Sequence, residues 1–180
     1  MSSMFKELKA PTVQLDTFSG NSMDFPFFMA NFTQAVEEKI SDSKGRLQRL
    51  IQFTDDPAKE LAKSCIYLPE ERCYVQTKKL LTEKFGNPFV VNAEYRKKLG
   101  SLPRLKANDV DSFTAFENFL IKFHSSVPAL DRKHDCSPEL MQILQSKLPL
   151  HLQDRWTRKA HQIRKDQKRE ASLDDFLKRL

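Results

Sequence analysis

Between one proline or glycine and the next, the apolar residues of this chain return at steps of three and four, a period that a helix turns onto one face. Phe25, Phe28, Phe32 and Val36 set the pattern, and Phe113, Phe116, Leu120, Phe123 and Val127 repeat it most regularly. An all-α fold is the expectation. Only Pro11 to Phe18 departs from it: Val13 and Leu15 alternate with polar neighbours, and Ser19-Gly20-Asn21 closes the run as a turn. With no second run of period two to pair with, this segment is expected to lie extended along a helical groove, with residues 1–10 flexible before it.

Start and stop signals divide the periodic stretches into about nine helices. The first begins near Asp24, with Pro26 in its opening turn, where a missing N–H costs nothing. Ser43 is expected to cap the second, which turns Leu47, Leu50 and Ile51 inward, and Asp56-Pro57 opens a third carrying Ala58, Leu61, Ala62 and Cys65. The fourth runs from about Glu70 to Phe85 on a stripe of Tyr74, Thr77, Leu81 and Phe85, with Gly86 expected as a left-handed stop. Asn87 and Pro88 start a fifth, with Val91, Tyr95 and Leu99 inward, and Gly100 is expected to end it. A sixth begins near Asn108 or Asp109 and stops at Pro128. Ser137-Pro138 starts a seventh on Leu140, Met141, Leu144 and Leu148, and Pro149 separates it from an eighth holding Leu152, Trp156, Ala160 and Ile163. Ser172 with Asp175 has the form of a capping box for the ninth.

The stop and restart at Gly86-Asn87-Pro88 reads as a boundary between two helical lobes, 1–86 and 87–180. A lobe of about 90 residues buries only some 60–65% of the surface its unfolded chain exposes, so it needs dense packing or a partner. Fourteen phenylalanines serve the first need, because each aromatic buries a large area per residue ordered.

Composition removes several functional classes. The chain is 39% hydrophobic and 30% charged, the makeup of a folded soluble protein, and its longest apolar run, Phe25 to Ala30, is far short of a bilayer crossing. The opening Met1-Ser2-Ser3-Met4-Phe5-Lys6 lacks the apolar core of a secretory signal, and Ser2 stands where myristoylation requires glycine, so a cytoplasmic or nuclear protein is expected. Cys65, Cys73 and Cys136 form no C-x-x-C pair and read as reduced, mostly buried thiols. Four glycines at least 14 residues apart exclude both G-x-G-x-x-G and the Walker pattern. In Leu15-Asp16-Thr17-Phe18-Ser19-Gly20, Phe18 interrupts the Asp-Thr-Gly turn of an aspartic protease. His134-Asp135-Cys136 lies in a loop, too close in sequence for one member to orient another, and His124 reads as a surface or satisfied, partly buried histidine rather than a ligand. No enzyme, cofactor, metal or small-molecule substrate is expected.

Net charge is +6, and its placement says more than its sum. Residues 1–86 carry 12 basic and 12 acidic side chains, whereas residues 87–180 carry 18 and 12. The eighth helix concentrates the excess: Arg155, Arg158, Lys159, Arg164, Lys165, Lys168 and Arg169 face a single acid, Asp166, in fifteen residues. Their spacing is expected to set them opposite the Leu152, Trp156 and Ile163 stripe. Such a face is either solvated or in contact with phosphates, and no interleaved aromatic supports stacking on bases.

Taken in order, Leu15-Asp16-Thr17-Phe18-Ser19-Gly20, Phe25-Pro26-Phe27-Phe28 with Phe32, Leu47-x-x-Leu50-Ile51 and Pro57-Ala58 resemble the Gag capsid region of LTR retrotransposons. Tyr74 followed by Leu80-Leu81-Thr82-Glu83-Lys84-Phe85-Gly86-Asn87-Pro88 is similar to the BEL/Pao type, in which an L-x-x-x-F-G-x-P stretch closes the first lobe. The likeness covers about residues 11 to 127; beyond them it lies in the order of helices. Pro57 replaces a frequent glycine of related sequences and Phe28 a frequent tryptophan, and both keep helix entry and aromatic packing. No Cys-Cys-His-Cys zinc knuckle, protease or polymerase lies within these residues.

The resemblance implies a retroviral capsid-like subunit of two lobes that self-associates into shells enclosing RNA without sequence preference. The N-terminal lobe would form rings and the C-terminal lobe would pair subunits. It further implies that the seventh helix supplies the pairing surface, through Glu139, Gln142, Gln145 and Ser146. The alternative is a helical nucleic-acid-binding module in which the basic helix over 155–169 dominates and assembly is incidental.

Overall fold

A computed structural model describes residues 15–126 and 137–178. The expectations for residues 1–10, Val13, Val127, Pro128 and His134-Asp135-Cys136 fall outside them. The described residues are all-α, and contacts divide the chain into two compact units, Met1–Gly86 and Asn87–Leu180.

In the first unit, α1 (Phe25–Phe32) continues into a π-helical turn (Thr33–Glu37), followed by α2 (Ser43–Gln52), α3 (Ala58–Ser64) and α4 (Glu70–Phe85). The apolar period of α1 buries Phe25, Phe28 and Phe32, and Val36 of the π-helical turn faces the same core. Against them pack Leu47 and Leu50 of α2 and Tyr74, Leu81 and Phe85 of α4. Phe18 sits at the centre: it stacks on Phe28 at 5.2 Å and meets Phe25 and Phe85 edge-on at 5.4 and 5.3 Å. Truncating one such buried ring costs about 3–5 kcal/mol.

Three expectations change in this unit. The segment ending at Phe18 does have a pairing partner: Phe18 donates its N–H to the Phe53 carbonyl and accepts from Asp55, both at 2.9 Å, in one parallel bridge to the α2–α3 connection. Asp42, not Ser43, caps α2, accepting from the Gly45 N–H, because a carboxylate one residue earlier reaches the exposed amide better than a hydroxyl already inside the helix. Gly86 ends α4 at φ −99°, not in the left-handed region. Its missing side chain matters for space: a Cβ there would lie 2.5 Å from Cε1 of Phe25.

A polar clamp closes the same unit. Glu37 accepts from the Tyr74 hydroxyl and, at 2.6 Å, from Lys78 Nζ, while Arg46 donates to the carbonyls of Ile40 and Glu37 at 2.5 and 2.8 Å. Burial alone would raise the Glu37 carboxyl, but the bonds from Lys78 and Tyr74 outweigh it and hold it below its ordinary range. The same contact with Glu37, after burial, pushes the Tyr74 phenol up.

The second unit contains α5 (Pro88–Ser101), α6 (Val110–Ser126), α7 (Pro138–Lys147), α8 (Leu150–Gln167) and α9 (Leu173–Leu177). Asn87 caps α5 through the Phe89 N–H, Asp109 receives the Ser112 N–H and hydroxyl at the head of α6, and Ser137 caps α7. Tyr95 stacks on Phe123 at 4.8 Å in a core completed by Leu99, Phe116, Leu120, Leu140 and Leu144. The capping box of α9 forms with both reciprocal bonds between Ser172 and Asp175. Gly100 does not end α5, which runs on to Ser101 with Leu102 as its cap. Lys147 Nζ binds the carbonyls of Gly100 and Leu102 at 2.7 and 2.5 Å, so a lysine from α7 satisfies the end that glycine was expected to terminate.

Candidate functional site

The basic helix α8 is oriented by its apolar side: Trp156 and Ile163 are 5% and 3% exposed, and Trp156 meets Phe176 edge-on at 4.9 Å. Of the cations, Arg155 and Lys159 do not stand opposite this stripe as expected, whereas Arg158 does, about 160° round the helix from Trp156. At 3.6 residues per turn, Arg155 and Lys159 fall about 100° and 60° to one side of Trp156. Together with Arg158 they rim a groove of about 280 Å³ floored by Leu148, Leu152, Trp156 and Phe176.

Two of the seven cations are committed inside the unit. Arg164 donates to Glu170 at 2.6 Å, and Arg169 holds both oxygens of Asp175 at 2.6 and 2.9 Å. The Arg169 bonds, against the opposing effect of burial and with help from Ser172, hold the Asp175 carboxyl far below the usual carboxylate range. The cationic stripe expected to continue to Arg169 therefore stops early, because α8 ends at Gln167 and Lys168 turns left-handed at φ 51°. Arg155, Arg158, Lys165 and Lys168 are exposed and Lys159 half-buried, and among the described residues no carboxylate lies within ion-pair distance of these five.

On α7, Glu139, Gln142 and Ser146 are exposed, one turn apart. Gln145 is drawn inward, donating to the Thr157 hydroxyl of α8 at 2.8 Å, and the Ser146 carbonyl accepts from Arg104 at 3.1 Å. Glu139 and Gln142 thus remain the side chains of α7 with the most freedom to meet a partner. A second groove of about 380 Å³ runs beside Gln142, between Met141 and the Thr157, Ala160 and His161 side of α8.

Among the described residues no three His, Cys, Asp or Glu side chains converge as metal ligands, and no helix is long and apolar enough to cross a membrane. Cys65 and Cys73 are buried free thiols. Sequence reasoning missed the Trp156 groove because Leu148, Trp156 and Phe176 belong to three separate periodic stretches, and no single stretch reveals that they share a wall.

No curated protein and no solved structure matches the chain. A family model described as "protein of unknown function (DUF1759)" matches residues 18–165, from the Phe18 bridge in the first unit to the basic helix of the second. With so much of both units inside the match, the chain belongs to the DUF1759 family.

Proposed function

We propose that the chain is a structural subunit of the Gag capsid type, similar to those of BEL/Pao LTR retrotransposons, which associates with copies of itself into closed assemblies. The observation that carries the reading is the family match over residues 18–165, in a family typically found in retrotransposon Gag- and polyprotein-like proteins. Two compact helical units and two grooved, charged faces on the second support it. In this reading α7 pairs subunits through Glu139 and Gln142, the first unit builds rings, and the cations of α8 hold RNA by its phosphates alone. Negative-stain microscopy of concentrated protein at raised salt tests it: closed particles are expected, and a uniform field of single 21.0 kDa chains contradicts it.

The five cations outside ion pairs, four on α8 and Lys168 just after it, also favour a second reading, a nucleic-acid module. At about 0.7 per neutralised phosphate on a single strand, five contacts limit the log-log salt slope to roughly −3.5. Capsid-type contact predicts weak, indiscriminate RNA binding that salt abolishes, whereas a module retains preference for one sequence above about 200 mM salt.

A further inference from the structure

The connection between α3 and α4 carries the most exposed aromatic side chain described. Tyr67 is 95% exposed, with Ile66 at 45% and Leu68 at 39% beside it. Three neighbouring apolar side chains in water are costly, and such a patch marks a contact surface. The loop is held in shape by its own backbone: Cys65, Ile66 and Leu68 donate N–H groups to the carbonyls of Ala62, Lys63 and Cys65 at 3.3, 3.1 and 3.1 Å. The buried Cys65 anchors one side and Pro69 leads into α4 on the other. A protrusion already ordered loses little freedom when it docks. Immediately after it, Glu70 and Glu71 stand exposed in the first turn of α4.

The Trp156 groove has the complementary character. Its floor is apolar, its rim carries Arg155, Arg158 and Lys159, and about 280 Å³ admits an aromatic anchor with a neighbour, not a whole domain. An apolar knob followed by two carboxylates meets an apolar slot edged by three cations.

We propose that the Ile66-Tyr67-Leu68 protrusion of one copy seats in the Trp156 groove of another, with Glu70 and Glu71 against Arg155 and Arg158. The proposal rests on the self-assembly reading and names a contact for it. Knob and groove are different surfaces, so the contact is heterologous: each subunit offers one of each, and repetition generates rings or longer arrays. The buried area of a single such contact is small, which suits an interaction that becomes strong only when repeated.

The test uses two full-length variants and sedimentation velocity over a concentration series. Tyr67→Ser removes the anchor from a side chain that packs on nothing, and Arg155→Glu/Arg158→Glu reverses the rim; circular dichroism verifies that both remain helical. Each variant is expected to need at least about tenfold more protein than the parent to reach the same associated fraction. A 1:1 mixture is the decisive arm. The Tyr67→Ser chain keeps a working groove and the rim-reversed chain keeps a working knob, so their mixture is expected to be heavier than either alone at equal total concentration. If the parent associates but Tyr67→Ser matches it, or the mixture is no heavier than the mean of its components, the docking proposal fails and the assembly reading stands. A parent monomeric throughout removes both. RNA on the same cations is distinguished because Tyr67→Ser leaves RNA retention unchanged; mass gain that needs added RNA and ignores Tyr67 overturns the proposal.

Discussion

At the scale of single residues, Gly86 shows how a sequence signal can be read correctly and explained wrongly. A glycine at the end of a sixteen-residue helix suggests a left-handed cap, yet its φ is −99° and its role is to let the Phe25 ring lie against the backbone. Gly86→Ala is expected to lower stability by about 1–3 kcal/mol, through a Cβ forced to 2.5 Å from that ring. Phe25→Leu in the same chain should recover part of the loss, as a double-mutant cycle by thermal denaturation can measure. Asp175 gives a second residue-scale prediction. Its carboxyl is depressed by Arg169 and Ser172, so it binds its proton less readily folded than unfolded. Its contribution to stability is therefore complete above the ordinary aspartate value of about 3.9 and is lost as pH falls toward the lowered native value. Asp175→Asn should flatten the acid limb of the stability curve while leaving its neutral-to-basic limb in shape. Capping residues were legible in sequence at Asn87, Ser137 and Ser172, where the side chain sits next to a proline or inside a capping box. At Asp42-Ser43 two competent caps are adjacent, and only the bond to Gly45 decides between them.

At the scale of elements, periodicity located every helix among the described residues, since the apolar stripe that forms a helix is the stripe that packs. What it did not carry was the direction of side chains off the stripe. The seven cations from Arg155 to Arg169 look alike in sequence, but Arg164 and Arg169 close ion pairs six residues on, in the turn after α8 and in α9, a choice that the helical period does not encode. Neutralising Arg164 or Arg169 should cost stability yet leave RNA affinity nearly unchanged. Arg158→Gln or Lys165→Gln should instead reduce the salt slope of RNA binding by about 0.7 each without altering the melting midpoint. On α7 the same distinction separates Gln142 from Gln145. Gln142→Asp places a carboxylate near its own symmetry mate and is expected to lower the associated fraction, acting twice per interface. Gln145→Ala, which loses a bond to Thr157 inside one subunit, should act mainly on stability, and light scattering beside thermal melts resolves the two.

At the scale of the whole molecule, each unit is built on a small aromatic core, and in the proposed assembly its outer faces make the contacts. Phe18 is central to the first of these cores, and its place was only half legible. The alternation leading up to it predicts an extended segment, of which Leu15 to Phe18 are described, but the partner of Phe18, the α2–α3 connection at Phe53 to Asp55, has no strand pattern of its own. The grooves were not legible, because each needs α8 set against a neighbouring element, Phe176 of α9 in one and α7 in the other, and the Tyr67 knob gives only the faint signal of apolar side chains gathered in a turn. Self-association is the claim on which the functional account depends, and sedimentation equilibrium of the unmodified chain from micromolar to millimolar concentration tests it most directly. The account predicts a weight-average mass that climbs well past that of a dimer as concentration and salt rise. A mass fixed at 21.0 kDa across the whole range contradicts it.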